Sequence, residues 1–422
     1  MAPLSLYVHI PFCLSRCDYC DFFSLPIHSF ADSAADSAAL SPAELPGRVV
    51  DALLREARFL RESAGTGTGS SSWRTVYIGG GTPSLLPPEE IFRLLEALSP
   101  GAAEVTVEAN PGDITAEWLD AVSSGGAARL SLGVQSLDGN ALRASGRRSA
   151  APRSELGLGA RETVLKALNL ITRHWHGSFS ADIIAGLPGE TRSGFLAGLG
   201  ELLSFGPSHV SMYSLIIGEK TPLGRRCVSD PVFEQALLEA GDELWLAGRD
   251  LLENAGFEQY EVSNFAISGS HRSVHNLVYW NMESWLGIGP GAVGTLFGGD
   301  IPPHPLPAAG EPPAAIRYTN TRDIAAWLKN PLVSPETEYI DRETLIFEYL
   351  MMGLRKREGI SRNVFFRRFG VPLDDCIEPA LSRWKERGLA FGSGETGEAD
   401  TVGLTREGLL FLNRFLGELI TP

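Results

Sequence analysis

The chain has 422 residues, of which 44% are hydrophobic, and a formal charge of −15 at pH 7. This length favours two domains with a large core, and the acidic charge argues against nucleic acid as the main partner, because binding a polyanion needs a basic face. No apolar run reaches the roughly 18 residues of a membrane span, and the N-terminus lacks the basic and apolar pattern of a signal peptide. Since cysteines are few, we expect a reducing, cytoplasmic location without an integral membrane segment.

Three of the five cysteines lie within eight residues, at Cys13, Cys17 and Cys20, just after an apolar run at positions 6–10. Thiolates are the usual ligands of iron–sulfur clusters, and a four-iron cluster held by three of them keeps one iron open for a substrate. Such closely spaced thiols pair poorly as disulfides, and no second C-x2-C pair follows to complete a zinc site. The pattern predicts a 4Fe-4S cluster, with Cys227 and Cys376 as ordinary buried thiols.

The spacing of these cysteines, preceded by the string that runs from Tyr7 to Phe12, resembles the radical S-adenosylmethionine (SAM) superfamily. In that superfamily the open iron binds the amino and carboxylate groups of SAM and passes it an electron that breaks a carbon–sulfur bond. The resemblance therefore implies two cofactors, a 4Fe-4S cluster and SAM.

Strand and helix patterns alternate along the first 254 residues. The expected strands cover residues 6–10, 75–78, 104–110, 129–134, 179–184 and 209–216. The expected helices cover residues 48–62, 88–98, 116–122, 161–172, 193–204 and 232–254. Alternation of this kind predicts a parallel sheet with right-handed crossovers, and six units suit an open barrel rather than a closed TIM barrel. We predict an α/β fold with a partial (βα)6 TIM-like barrel, with surface loops at 27–46 and 63–72 and an insertion at 148–160.

Polar motifs follow the expected strands at their carboxyl ends, where ligands bind in such folds. A glycine-rich string occupies residues 79–84, and Glu108, Gln135, Arg147 and Asp182 lie in or after later strands. Carboxylates suit an ammonium or a ribose diol, and a guanidinium suits a carboxylate, so the set matches a zwitterionic nucleoside. The glycine string lacks the Lys-Ser/Thr ending of a P-loop. Taken singly, each motif is equally consistent with an ordinary turn or a solvated side chain.

The strings at residues 107–111, 133–137, 146–147 and 182–189 resemble the family of oxygen-independent coproporphyrinogen III oxidases with its HemN and HemW branches. By this resemblance Gln135, Arg147 and Asp182 match positions that hold a second SAM in the oxidase, although the usual histidine after the Gly-Arg pair is missing here. The residues that the resemblance places against the SAM on the cluster are Tyr7, Gly80, Gly81, Thr82 and Glu108.

Three features favour the HemW branch over the oxidase. The oxidase has a further cysteine two residues after its third ligand, where this chain has Phe22, and it carries a long extension before its cysteines. The third feature is a match to the H-N-x-x-Y-W signature of HemW at His275, Asn276, Tyr279 and Trp280.

The HemW resemblance implies a haem chaperone that passes haem to respiratory haemoproteins, with haem contact at His275, Asn276, Tyr279 and Trp280. An imidazole is a usual axial ligand of haem iron, and aromatic rings pack on a flat macrocycle. The residues alone favour the alternative, a structural histidine that hydrogen-bonds within a domain junction.

The last third of the chain begins with a Gly-rich turn at 285–292 and a Pro-rich stretch at 301–313. Helices are expected at 341–355, 362–369, 373–388 and 405–419, with short strands at 390–391 and 402–404, which indicates a winged-helix-like domain. We therefore expect a radical SAM core at 1–220, a barrel extension with the H-N-x-x-Y-W segment at 221–300, a Pro-rich connector at 301–340 and a mainly helical domain at 341–422.

Two other functions are compatible with the fold. One is an enzyme that removes the propionate carboxylates of coproporphyrinogen III, and the other is a radical SAM enzyme that modifies tRNA, which the acidic charge disfavours. A haem chaperone is the favoured hypothesis, with haem and its acceptor proteins as partners, peripheral membrane contact left open, and either a monomer or a homodimer.

Overall fold

A computed structural model describes residues 3–29, 44–63, 72–147, 159–301, 313–392 and 400–420. The surface loops expected at 27–46 and 63–72, the insertion expected at 148–160 and the Pro-rich stretch at 301–313 lie largely outside the described residues. Among the helices of the described part, none is both long enough and apolar enough to cross a membrane.

The strands, in chain order, are β1 (Ser5–Ile10), β2 (Phe12–Cys13), β3 (Leu25–Pro26), β4 (Thr75–Gly80), β5 (Glu104–Ala109), β6 (Arg129–Gln135), β7 (Ser178–Ala185), β8 (His209–Ser214), β9 (Glu258–Gln259), β10 (Asn264–Ala266), β11 (Trp285–Ile288), β12 (Val293–Phe297), β13 (Ala315–Thr319), β14 (Glu336–Ile340), β15 (Ile360–Ser361), β16 (Ala390–Gly392) and β17 (Thr401–Leu404).

The helices are α1 (Leu45–Ser63), α2 (Pro88–Leu98), α3 (Ala116–Ser124), α4 (Gly139–Ala144), α5 (Ala160–His174), α6 (Arg192–Leu203), α7 (Pro222–Ser229), α8 (Pro231–Asn254), α9 (Val274–Trp280), α10 (Ile324–Lys329), α11 (Arg342–Gly353), α12 (Arg362–Phe369), α13 (Asp374–Ile377), α14 (Ala380–Glu386) and α15 (Leu412–Ile420). Short 3-10 helices occupy Pro83–Leu85, Pro111–Asp113, Gly269–His271, Gly298–Asp300 and Gly408–Phe411.

A 12-stranded sheet forms the barrel, in the order β14-β13-β12-β11-β1-β4-β5-β6-β7-β8-β10-β9. The six strands expected from the sequence, β1 and β4 to β8, are neighbours and run parallel. On the other side of β1, β11 adds a further parallel strand, and antiparallel strands complete both edges. Because β14 and β9 are at opposite edges of the sheet, the barrel is open, and the predicted fold class is confirmed.

Burial explains why these segments form their elements. Leu6, Val8 and Ile10 of β1 are fully buried, as expected for a parallel strand covered on both faces. On α1, Val49 and Leu53 recur at helical spacing and are fully buried. The helix α3 begins at the expected cap, because Thr115 accepts a hydrogen bond from the backbone N–H of Trp118.

The C-terminal region has its own core, in which α11 to α15 surround a small sheet of order β15-β17-β16. Trp384 and Phe415 are fully buried in it and meet edge to face at 5.0 Å. The helix expected at 373–388 is two helices, α13 and α14, because Pro379 lacks the N–H that a continuous helix would use. The helix expected at 405–419 begins as a 3-10 helix at Gly408–Phe411 and continues as α15.

Two expectations for the region between the barrel and this domain are wrong. The segment 285–292 is not only a Gly-rich turn, since it contains the parallel strand β11. Residues 313–340 do more than connect, since β13 and β14 extend the large sheet and the helix α10 lies between them in the chain. The strand β14 lies at the sheet edge and exposes its first four residues, so its polar sequence resembles a loop.

Candidate cluster and cofactor site

The cysteine loop follows β1 at the carboxyl end of the barrel. The parallel pairing of β2 with β3 closes it, and the N–H of Ile27 donates to the carbonyl of Cys13 at 2.8 Å. Between the paired strands, the N–H of Cys20 donates to the carbonyl of Cys17 at 3.2 Å. All three thiols are free of disulfides and half-buried, so the fold presents them together on one short loop.

The chemistry of this donor set suits an iron–sulfur cluster better than a single metal ion. Among the described residues, no three His, Cys, Asp or Glu side chains converge on one ion position. A four-iron cluster does not need such convergence, because each thiolate binds a different iron. The other two thiols do not belong to this set: Cys227 is buried, as expected, whereas Cys376 is half-exposed rather than buried.

The glycine string after β4 packs directly beneath the cysteine loop. A Cβ at Gly81 would lie 2.5 Å from the carbonyl oxygen of Phe12, and a Cβ at Gly80 would lie 2.6 Å from Nδ1 of His9. Gly80 also has a φ of +104°, which side chains rarely adopt. These glycines are therefore required for the close approach of the two segments.

Thr82 joins the glycine string to the cysteine loop. Its hydroxyl donates to Sγ of Cys13 at 3.3 Å and accepts from Nδ2 of Asn110 at 3.1 Å. Asn110 follows β5, so three successive strand ends are linked through one buried hydroxyl. Sequence reasoning missed Asn110, although it lies within the string 107–111.

Two carboxyl groups lie close together inside the barrel. Burial, reinforced by the nearby Asp182, raises the pKa of Glu108 from 4.5 to about 7, while the Tyr77 hydroxyl donates to its Oε1 at 2.8 Å. Burial likewise raises the pKa of Asp182 to about 6, and Ser131 donates to both of its oxygens. Because both shifts reflect the cost of burying negative charge, a cationic ligand would be stabilised here.

Aromatic rings line the wall beside Glu108. Tyr7 and Tyr77 stack at 6.3 Å with an angle of 28° between their planes. The Tyr7 hydroxyl lies 3.1 Å from Nδ1 of His9, and Nε2 of His9 lies 2.8 Å from the carbonyl of Phe23. His9, expected to be structural, thus links the barrel interior to the end of the cysteine loop.

Gln135, Arg147 and Asp182 come together around Gly133, as their predicted shared role requires. Asp182 is the register partner of Gly133, and the register shifts between Gly133 and Gln135. Gln135 has a φ of +65°, and a Cβ at Gly133 would lie 3.1 Å from its Nε2. This bulge re-aims the Gln135 side chain.

Arg147 forms three hydrogen bonds to other residues of the protein. Its guanidinium donates to the Tyr19 hydroxyl at 3.0 Å, to Oδ1 of Asn110 at 3.1 Å, and to the carbonyl of Gly133. Tyr19 lies between two of the cysteines, and the N–H of Asp18 donates to the carbonyl of Ser145. These bonds make Arg147 an anchor of the cysteine loop, whereas its Nε is buried without a partner and its contact with a second SAM stays a prediction.

The H-N-x-x-Y-W helix α9 lies at the opposite, amino end of the barrel. His275 is fully buried, and its Nδ1 lies 2.8 Å from the hydroxyl of Thr75, the first residue of β4. The Thr75 proton is donated to Ser5, so His275 Nδ1 carries a proton and Nε2 accepts from the Tyr279 hydroxyl at 2.8 Å. Burial lowers the pKa of His275 to about 3. Both ring nitrogens thus have protein partners in this structure, and the haem contact expected at His275 stays a prediction.

The rest of the signature joins the barrel to the C-terminal domain. Tyr279 meets Trp285 edge to face at 4.9 Å, and the Arg355 guanidinium lies 5.0 Å above the Trp280 ring. At the start of α9, the N–H of His275 donates to the Glu104 carboxylate at 2.9 Å. Asn276, Tyr279 and Trp280 are all half-buried, so each of them keeps part of its surface exposed.

Family models match two parts of the chain. Residues 7–197 match the radical SAM superfamily, and residues 340–395 match the HemN C-terminal domain.

Several curated relatives match over nearly the whole chain. The haem chaperone HemW of Bacillus subtilis is 30% identical over 98% of this chain and 100% of its own length. HemW of Escherichia coli is 31% identical over 99% of this chain and 98% of its own length. The mitochondrial radical S-adenosyl methionine domain-containing protein 1 of Bos taurus is 32% identical over 97% of this chain and 82% of its own length.

Among solved structures, coproporphyrinogen III oxidase (HemN) from Escherichia coli superposes with a TM-score of 0.72. The match covers 99% of this chain and 90% of that chain at 19% identity. At this identity the likeness establishes a shared fold and nothing finer.

Proposed function

The chain belongs to the HemW family of radical SAM proteins, and on that premise we propose that it is a haem chaperone. It holds a 4Fe-4S cluster, binds SAM, and passes haem to haem-accepting respiratory proteins. The observation that carries the proposal is identity of about 30% along nearly the full length of relatives named haem chaperone. The exposed Phe22, at the position of the oxidase's further cysteine, agrees with this branch.

Membership of the radical SAM superfamily implies the cluster and SAM, and the site suggests which residues hold them. Cys13, Cys17 and Cys20 bind three irons, and the cluster, when loaded, supplies one electron to SAM. Side chains of the protein around the cluster would position SAM and stabilise charge on the cluster. Thr82 donates to a ligand sulfur, which stabilises negative charge there.

The SAM-binding wall is formed by the glycine string and the buried carboxyl group beside it. Gly80 and Gly81 allow the backbone to approach the ligand, and Tyr7 contributes an aromatic ring. The carboxylate of Glu108, held by the Tyr77 hydroxyl, would pair with the ammonium group of SAM. Gln135 and Asp182 face the same interior from the next strands.

We also propose that this chain binds haem, and that α9 contributes by stabilising the fold instead of contacting the haem. His275 can bind iron only if it releases its hydrogen bonds to Thr75 and Tyr279 inside a fully buried site. We therefore propose that the H-N-x-x-Y-W helix fixes the junction between barrel and C-terminal domain, and that haem binds elsewhere on the folded protein.

The second candidate is an oxygen-independent coproporphyrinogen III oxidase. The observation in its favour is the convergence of Gln135, Asp182 and Glu108, which is suited to binding and activating SAM for catalysis.

One pair of assays separates the two functions. Anaerobically reconstituted protein, preloaded with haem, is mixed with an apo-haemoprotein, and transfer is followed by absorbance against a free-haem control. In parallel, the protein receives SAM, a reductant and coproporphyrinogen III. The proposal predicts protein-dependent transfer without protoporphyrinogen, whereas protoporphyrinogen formation without transfer would establish the oxidase instead.

A further inference from the structure

A basic cavity that is open to solvent lies on the outside of the barrel between α1, α2 and α10, and its lining includes no residue of the cysteine loop. Its volume is about 660 Å³, within the range of small-molecule sites. The charged side chains that line it are Arg48, Asp51, Arg55, Arg58, Arg93 and Lys329. Five cations against one carboxylate leave a formal excess of four positive charges, in a chain whose net charge is −15.

The helical spacing of α1 creates most of this charge. Arg48, Arg55 and Arg58 are seven and three residues apart, so they project from one face of the helix. The end of α10 closes the cavity, since Arg55 donates to the carbonyl of Leu328 at 3.4 Å and Lys329 is the last residue of that helix. The cations thus come from three helices, of which α1 and α10 are far apart in the chain, as the separation of 273 residues between Arg55 and Leu328 shows.

Only one of these cations is neutralised by carboxylates. Arg93 pairs with Asp51 at 2.5 Å and with Glu90 at 2.6 Å. Within the described part of the chain, Arg48, Arg55, Arg58 and Lys329 form no ion pair, so four exposed like charges border one pocket. Arg55 and Arg58 are three residues apart and repel each other along α1, so an anion bound between them would relieve that repulsion.

We propose that this cavity binds a small anion carrying at least two phosphate groups, held by Arg48, Arg55, Arg58 and Lys329. Arginine favours phosphate because its planar fork donates two parallel hydrogen bonds to the oxygens. The described lining includes no aromatic side chain on which a base could stack, so the phosphates are the recognised part. The site is independent of the cluster and of the proposed haem function.

Binding would tighten the attachment of α10 to the barrel. The same helix α1 carries the buried Glu56, which accepts from Trp327 Nε1 at 3.0 Å and from Asn320 Nδ2 at 2.6 Å. An anion shared by α1 and Lys329 adds a second bridge between these elements. We therefore expect the ligand to raise the melting temperature of the protein.

The test is a calorimetric titration of the full chain with inorganic pyrophosphate, at constant ionic strength and without divalent cations. We expect saturable binding that is at least about tenfold weaker in Arg55→Ala and in Arg58→Ala, and only a few-fold weaker in Arg58→Lys, which keeps the charge but loses the fork. Arg173→Ala removes an equal charge from an exposed position on α5 and should leave the affinity unchanged.

Three outcomes would overturn the proposal. The first is the absence of saturable heat with wild-type protein. The second is a loss of pyrophosphate affinity in Arg173→Ala as large as that in Arg55→Ala. The third is an affinity for citrate, which presents carboxylates instead of phosphates, equal to that for pyrophosphate. A melting curve for each variant confirms that it is folded before titration. Wild-type protein that binds pyrophosphate without any rise in melting temperature would contradict the bridging of α1 and α10.

Discussion

The two ends of the barrel hold family motifs of opposite character. At the carboxyl end, three free thiols and the buried carboxyls of Glu108 and Asp182 keep bonding capacity that the protein does not use up. At the amino end, His275 is fully buried and both its ring nitrogens have protein partners. A binding or catalytic site needs side chains that can still bond to a ligand, whereas a buried network whose hydrogen bonds are all satisfied makes the fold rigid. Under the proposed function, the carboxyl end holds the cofactors and the amino end supports the fold.

Removing one thiol should have the largest effect. Cys13→Ser is expected to reduce the iron bound after anaerobic reconstitution from about four per chain to background, because the remaining ligands cannot hold the cluster. Iron analysis and the visible absorbance of the cluster measure this. The matched control, Cys376→Ser, changes a half-exposed thiol in the C-terminal domain and should keep the iron. An equal loss of bound iron in both variants would contradict the assignment of the cluster to the cysteine loop.

The opposite pattern is expected at the amino end. His275→Ala should lower the free energy of unfolding by about 3 kcal/mol, because it leaves the Thr75 and Tyr279 hydroxyls unsatisfied beside a cavity. Chemical denaturation measures the change, with the exposed His28→Ala as control. Cluster loading of the folded variant should stay normal. A stability equal to that of wild type would contradict the structural role.

Features set by local sequence could be predicted, whereas features set by contacts between distant segments could not. The six barrel strands and the cysteine loop could be predicted because periodicity and spacing are local properties. The burial of His275 depends on Ser5 and Thr75, and the anchoring by Arg147 depends on Tyr19, so both arise from contacts between distant segments. Neither is visible in a local motif. The strand β14 was missed because its edge position leaves its side chains polar.

The charge of Glu108 should produce an intermediate effect. Glu108→Gln is expected to weaken SAM binding about tenfold at pH 8, since the amide cannot pair with an ammonium group. Because the pKa of Glu108 is raised to about 7, wild-type affinity should increase from pH 6 to pH 8, while the affinity of the variant should rise much less. Asp182, with a pKa of about 6, contributes only to the lower part of this rise. Calorimetry across this pH range measures both affinities, and a Glu108→Gln variant whose affinity rises as much as that of wild type would contradict the assignment.

The raised pKa of Glu108 also affects the stability of the ligand-free protein. A raised folded pKa stabilises the protein fully below the ordinary value of 4.5, and this contribution is lost as the pH rises through about 7. Glu108→Gln should therefore stabilise the ligand-free protein relative to wild type more at pH 8 than at pH 5.

The smallest effect is expected at Thr82. Thr82→Val keeps the shape but removes the hydrogen bond to Cys13 Sγ, which should lower the reduction potential of the cluster by tens of millivolts, because that bond favours the more negative state. A redox titration followed by electron paramagnetic resonance measures the shift. Thr172→Val, on the exposed face of α5, is the control. An unchanged potential would mean that Thr82 does not tune the cluster.

The most direct test of the comparison is a haem titration of reconstituted protein, followed by absorbance at a temperature where His275→Ala remains folded. The account predicts stoichiometric haem binding by wild type, with the same stoichiometry and absorbance maximum in His275→Ala. A folded His275→Ala that loses haem while wild type keeps it would make the amino end the haem site and contradict the account.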